Sequence, residues 1–337
     1  MIKTTRSRIL FFLALIVILF VCILISLMLG RFEITIPQCL GILASKFIKL
    51  KPQWTQVQDN MLSLVRVPRV LIAMLVGMAL SVAGTSYQCI FRNPMAAPDV
   101  LGASTGAAFG AALAILLGRS STEITVWAFL SSISCVLLVL LCSKLCRGNE
   151  ILNLVLSGIM IGSLFSAATS YLKLIADPHN TLPAITYWMM GSISGANMDK
   201  LSYVWIPMVL AAIPIFLLRW KMNLLTLEDE EAKSMGVNTR RTRIIVILCA
   251  TLLTAASVSV SGMIGWVGLV IPHITRKMIG SDCRALIPAS AFVGGIFMIL
   301  VDDLARNLYT TELPLGVLTA FIGAPFFIYL MASKREW

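Results

Sequence analysis

The chain alternates between long apolar runs and short polar breaks over almost its whole length, and none of the runs shows the two-residue alternation of a strand. Ten stretches can be marked, at roughly 9–30, 67–90, 98–118, 122–143, 151–172, 201–219, 243–262, 264–280, 285–303 and 314–332. A helix needs about 20 apolar residues to cross a hydrocarbon core, so each stretch can span one, although 98–118 and 264–280 are interrupted by glycine and marginal in length. Lipid offers no partners to backbone amides, which leaves only helices and closed barrels, and the missing alternation removes the barrel. The expected fold class is therefore all-α: one polytopic transmembrane domain over 1–337 with ten transmembrane helices. Hydrophobic residues make up 58% of the chain and charged residues only 13%, as such a protein requires.

An even number of spans places both termini on one side, and the basic residues say which. With the termini in the cytoplasm, 17 of the 27 Lys and Arg fall inside and 10 outside, six of these in the long segment 31–69. The net charge of +11 thus reads as membrane topology, and no basic run interleaved with aromatics points to nucleic acid. Residues 1–30 imitate a signal peptide but lack a small-x-small cleavage site, so they read as an uncleaved first span. Spans 2–5 and 7–10 are offset by five helices, an odd number, which gives related halves opposite topology and suggests an inverted repeat.

Several chemistries have no residues to carry them. The eight cysteines form no CxxC pair, and Cys142 and Cys146 are spaced CxxxC at a helix end. His179 and His273 neighbour neither a cysteine nor each other, so no metal site and no catalytic residue is expected. No Gly is followed by Lys, which excludes a phosphate-cradling G-x-x-x-x-G-K-[ST] loop; ATP would have to be hydrolysed by another polypeptide. The centres of the spans are almost without Asp, Glu, Lys, Arg or His, the groups with which proton- or sodium-coupled carriers bind their driving ion.

Small residues are placed for close helix packing. Gly102, Gly106 and Gly110 form GxxxG steps on the third span, and Gly158, Gly162 and Ser166 share one face of the fifth. Within 31–66 the piece ITIPQCLGILASKFIKL is amphipathic and reads as a short interfacial helix. Asp177–Asn180, DPHN, is a turn, and Trp188–Gly191 opens a second excursion before span six.

One long charged segment interrupts this pattern, LLTLEDEEAKSMGVNTRRTR from Leu224 to Arg243, within a cytoplasmic loop taken as 220–243. Its carboxylates at Glu228–Glu231 suit the start of a short helix and Gly236 its C-terminal stop, while Arg240, Arg241 and Arg243 suit the headgroup level. The order E-E-A-x-x-x-G over Glu230–Gly236 resembles the coupling segment by which permease subunits of ATP-binding cassette (ABC) importers grip their ATPase. Four further segments carry a closer likeness: RVPRVLIAMLVGMALSVAGTSYQCIFRNPMAAPDVLGASTG at Arg66–Gly106, GLVIPHITR at Gly268–Arg276, DDLARNL at Asp302–Leu308, and ELPLGVLTAFIGAPFFIYLM at Glu312–Met331. In order and spacing they resemble the FecCD family of permeases for iron-siderophores, haem and vitamin B12, over most of residues 60–335.

The resemblance implies a permease of a bacterial cytoplasmic (inner) membrane, in a homodimer or pseudo-dimer of ten-helix subunits. Two cytoplasmic ABC ATPases would bind ATP and Mg, and an extracytoplasmic substrate-binding protein would deliver the cargo; this chain itself would hold no cofactor. The expected cargo is a metal chelate, a ferric siderophore first, with haem, cobalamin or molybdate as alternatives; an ATPase-independent facilitator or channel is the rival class.

Residue by residue, the resemblance assigns ATPase coupling to Glu230, Glu231, Ala232 and Gly236. It assigns docking of the binding protein to Arg66, Arg69 and Arg306, although Arg306 is also spaced to neutralise Asp302 and Asp303 at i−4 and i−3. A cytoplasmic gate is implied at the start of span five, at Ile151, Leu152 and Asn153. Asn153 and Ser157 share a helical stripe that could line the path, and Ile151 and Leu152 could close it by apolar contact. Asn93, Pro94, Pro98 and Asp99 read as the turn between spans two and three, and Pro272 with His273 as a kink near the inner end of span eight.

Overall fold

A computed structural model describes residues 5–30, 32–46, 48, 53–309 and 311–332. Among these residues the secondary structure is entirely helical. In chain order the helices are α1 (Thr5–Met28), α2 (Ile36–Ser45), α3 (Gln56–Asn60), α4 (Val67–Phe91), α5 (Ala103–Leu116), α6 (Ser121–Leu145), α7 (Glu150–Ile175), α8 (Thr181–Met189), α9 (Met198–Leu225), α10 (Asp229–Ser234), α11 (Thr239–Ser261), α12 (Val267–Ile279), α13 (Cys283–Asn307) and α14 (Leu315–Ala332). Starts are fixed by short polar side chains that accept from the first free amides: Asn149 for α7, Asn197 for α9, Asn238 for α11 and Asp282 for α13. Ser120 and Glu123 form a reciprocal capping box at α6.

Each of the ten expected stretches is helical, and seven helices are long and apolar enough to cross a membrane. Of the other three, α5 and α12 are shorter than expected for physical reasons, and α14 matches its stretch. α5 has 14 residues because Pro98–Leu101 forms a 3-10 turn and Gly102 adopts φ +74°, so the helix begins only at Ala103. α12 has 13 residues because Trp266 adopts φ +69° just before it, a conformation a bulky residue seldom takes. α14 runs 18 residues from Leu315.

Two elements differ from expectation. The segment 31–66 does not end as a loop: α3 continues through a π-helical turn at Met61–Arg66 into α4, making one helix of 36 residues from Gln56 to Phe91. The stretch after the DPHN turn, which lies outside the ten apolar stretches, forms α8. A short helix, as expected in ITIPQCLGILASKFIKL, is present as α2, while Phe47, Lys49 and Leu50 at its end lie outside the described residues, as do both chain termini.

α4 sits at the centre, flanked by α9, α11, α12 and α13. Its approach to α12 is closest at Gly84, where a Cβ would fall 1.8 Å from the carbonyl oxygen of Gly268, so two glycines let the backbones touch. The expected packing role of the small residues is seen: Cβ atoms at Gly106 and Gly110 would meet α6, and one at Gly158 would meet the Val100 carbonyl. α1, α7 and α9 turn many leucines, isoleucines and valines outward, the surface a lipid-facing helix needs.

Contacts between helix ends give the bundle two ends. Arg8 of α1 lies 3.6 Å from Asp282 at the start of α13, and Arg92 after α4 donates to the Leu225 carbonyl at 2.9 Å. These belong with α10 at one end. At the opposite end Arg306 of α13 donates to the Ser26 carbonyl, and Gly316 at the start of α14 donates to Met190.

Candidate functional site

The short helix α10 is closed by a Schellman motif that accounts for the spacing of the E-E-A-x-x-x-G segment. The Gly236 amide donates to the Lys233 carbonyl at 2.9 Å, and the Val237 amide donates to Ala232 at 3.2 Å. This pairing requires a left-handed residue, and Gly236 has φ +79°. Ala232, 0% exposed, packs with Leu224 and Val237 in a small apolar cluster that pins α10 between the end of α9 and the start of α11. Glu230 and Glu231 remain exposed, as do the apolar side chains of Leu227 and Met235. The result is a closed turn, anchored by Ala232, with acidic and apolar groups on its surface.

A second polar clip secures the neighbouring chain ends. Asn223 of α9 donates to the Asp282 carboxylate at 2.7 Å, and its carbonyl accepts from the Cys283 amide at 2.6 Å. Partial burial works against the Asp282 charge, but hydrogen bonds from Arg284 and Asn223 outweigh it and hold its pKa down at about 2.

At the same end, Asn149 caps α7 by accepting from Ile151 at 2.9 Å and Leu152 at 3.2 Å. The four residues assigned to the gate do not form one cluster. Ile151 packs against the core, Leu152 is 56% exposed, and Asn153 donates to the Cys146 carbonyl at 3.3 Å. Ser157 is fully buried, so within this subunit it faces the bundle and not an open path along α7. Sequence reasoning missed Glu150, the first residue of α7: its carboxylate lies 3.4 Å from Arg243 and 3.7 Å from Arg240, both on the first turns of α11. Arg240 and Arg243 were expected at the headgroup level; Arg240 is exposed, but Arg243 is turned inward and buried.

The three arginines assigned to docking are not the exposed rim charges the resemblance implied. Arg66, Arg69 and Arg306 are only 4%, 8% and 8% exposed. Arg69 grips Asp302 through Nε and Nη2, at 2.9 and 2.8 Å, and reaches Glu312 at 2.8 Å. Arg66, in the π-helical turn, donates to the carbonyls of Leu27 and Met28 at 2.8 and 3.0 Å and to that of Phe32. Arg306 pairs with Asp303 and donates to the Ser26 carbonyl at 2.6 Å, which matches the neutralising role its spacing allowed. Burial demands this satisfaction, since an unpaired charge in such a place is costly. The signals missed were Glu312 and Ser26, far away in sequence. His273 packs edge-on against Phe326 and tilted against Phe327, with centroids 6.3 and 6.4 Å away. No group of three or more His, Cys, Asp or Glu that could hold a metal ion occurs among the described residues.

Comparison with known proteins places this architecture. A profile of the FecCD transport family matches residues 18–333. The chain is 39% identical over 319 residues to the molybdate import system permease protein MolB of Haemophilus influenzae, covering 95% of this chain and 94% of that protein. It is 40% identical over 271 residues to an iron chelatin transport system permease protein of Helicobacter pylori, covering 80% and 82%. A solved structure of a metal-chelate type ABC transporter in an inward-facing conformation superposes with a TM-score of 0.85 at 37% identity, covering 95% of this chain and 97% of that one.

Proposed function

Since the chain belongs to the FecCD transport family and is an ABC importer permease subunit embedded in the membrane, we propose that it carries a metal chelate, a ferric siderophore first, across the cytoplasmic membrane. It does so as one of two permease subunits, most simply two copies of itself, above two ATPases and beneath a substrate-binding protein. Ten helices span the bilayer, with helices 2–5 and 7–10 of that set as an inverted repeat and both termini in the cytoplasm. The observation that carries this reading is the clip at α10. A Schellman-closed turn with Ala232 locked into the bundle and Glu230, Glu231, Leu227 and Met235 outside is a handle stiff enough to pass a displacement to α9 and α11. That end is then cytoplasmic, in keeping with the excess of Lys and Arg there.

ATP binding by the partner subunits draws the two α10 handles together, and the start of α7 moves with them through α11. Cargo passes between the two permeases without chemical change. The energy comes from ATP hydrolysis on the partner subunits, delivered through their different affinities for two permease conformations. The extracytoplasmic protein docks at the opposite end, over the surface that Arg66, Arg69 and Arg306 support from beneath.

A second cargo, the oxyanion molybdate, is favoured by the likeness to the Haemophilus influenzae permease along nearly the whole chain. Haem and cobalamin belong to the same architecture. The test is uptake in cells that lack the chain and are complemented with it, using radiolabelled ferric siderophore and radiolabelled molybdate in parallel. ATP-dependent accumulation of the siderophore iron is expected. Accumulation of molybdate alone replaces the first cargo with the second, and uptake that survives loss of the partner ATPase overturns the mechanism.

A further inference from the structure

At the end opposite α10, the first turns of α6 and α9, the helix α8 and the loop after it enclose a cleft of about 360 Å³. Lys200, on the first turn of α9, lines it half-buried, and its ammonium lies against Gly195, where a Cβ would stand 3.1 Å from Nζ. Among the described residues this ammonium has neither a hydrogen bond nor an ion-pair partner. The cleft's second cation, Arg119, is already offset by Glu123 at 3.7 Å, whose other carboxylate oxygen accepts from the Ser120 amide and hydroxyl at 2.9 and 2.8 Å. The lining therefore keeps one uncompensated positive charge.

The hydroxyls around it can donate. Ser192 donates to the Ser194 hydroxyl at 2.9 Å, which uses a lone pair of Ser194 and leaves its proton to point elsewhere. Ser121 also lines the cleft, with its hydroxyl making no hydrogen bond among the described residues. Tyr187 and Trp188 supply an aromatic wall. A partly desolvated ammonium without a counter-charge is an unfavourable arrangement in an empty protein and a favourable one once an anion enters.

We infer that this cleft is a binding site for an oxyanion group, held by Lys200 and by the hydroxyls of Ser194 and Ser121. A cation would be repelled, and a purely apolar ligand would leave the ammonium and hydroxyls buried without partners. Phosphate, molybdate and the phosphate of a lipid headgroup share the required chemistry. The site stands apart from the ATPase handle and does not depend on which cargo the transporter carries.

The purified permease with its partner subunits is titrated calorimetrically with sodium molybdate and with inorganic phosphate at low ionic strength. In parallel, the complex in nanodiscs of phosphatidylcholine, with or without phosphatidylglycerol, is examined for retained lipid by native mass spectrometry. The expected result is saturable binding of at least one of these probes, weakened about tenfold or more in K200Q and largely kept in K200R. Binding of a soluble oxyanion identifies a solution ligand, and binding of phosphatidylglycerol alone identifies a lipid; either outcome supports the site. Should K200Q fail to fold, S194A carries the test with an expected loss of about threefold. Absence of binding by every probe, or affinity unchanged in K200Q or S194A, overturns the inference.

Discussion

The carboxylate of Glu150 faces the buried guanidinium of Arg243 at 3.4 Å, joining the first residue of α7 to the second turn of α11. α11 begins two residues after the Schellman motif of α10, with Asn238 accepting from the Arg241 amide at 2.9 Å between them. A displacement of the handle thus reaches the start of α7 through a cap and an ion pair. Replacing Glu150 with Gln is expected to lower transport on the order of fivefold, a coupling of about 1 kcal/mol, while the ATPases still co-purify. Uptake and ATP turnover measured together in proteoliposomes check this; turnover that continues without matching uptake is the expected signature.

Gly236 answers to conformation and not to space, because no atom lies within 4 Å of where its Cβ would be. At φ +79° a β-branched residue is strained by about 1–2 kcal/mol, whereas Asn tolerates this region. G236V should therefore loosen α10 and abolish most ATPase-driven uptake, and G236N should retain a substantial part of it. Equal losses in the two variants would show that bulk at the ATPase contact, and not the left-handed turn, is what matters.

The depressed pKa of Asp282, at about 2, makes the α9–α13 clip sensitive to acid. Its ordinary value is about 3.9, so the unfolded chain binds the proton more readily than the folded one, and the stabilisation is present above about pH 4. It is lost as pH falls toward 2. Thermal unfolding of wild type and D282N should differ most above pH 4 and converge on acidification.

Much of the bundle is legible in the sequence because lipid imposes one strong rule, a helix wherever about 20 apolar residues run together. The rule fails at α5 and α12, where Pro98, Gly102 and Trp266 shorten the helix without reducing its hydropathy. It also cannot see α3 merging into α4, since Gln56–Asn60 is polar except for Val57 and the π turn at Met61–Arg66 carries the helix through. The α10 handle was readable because a Schellman motif is local: Ala232, Gly236 and Val237 lie within six positions. The partners of the arginines were not. Asp302 is 233 residues from Arg69 and Glu312 is 243 away, so a basic pair at a helix mouth reads as a rim charge until the tertiary structure brings the carboxylates to it.

That distant pairing yields the sharpest contrast with the docking role that the resemblance implies. If Arg69 served mainly to attract glutamates of a binding protein, its reversal to Glu would change the rate and salt dependence of association and leave the folded permease intact. In the structure, Asp302 is 1% exposed and receives three contacts from Arg69 within 3.1 Å, so the reversal instead sets three carboxylates together in a buried place. Breaking such a pair costs about 3–5 kcal/mol, a large share of the stability of a helical bundle. R69E and D302N should each lower the thermal unfolding temperature and the yield of folded protein in detergent, and the double variant R69Q/D302N should recover part of the loss because it leaves no charge at the fully buried position 302, while Glu312, which also loses Arg69, is partly exposed to solvent. The corresponding change at an exposed carboxylate of the same end, Glu33→Gln, should leave stability unchanged. Normal stability of R69E, combined with slower and more salt-dependent binding of the substrate-binding protein, would return Arg69 to the docking surface.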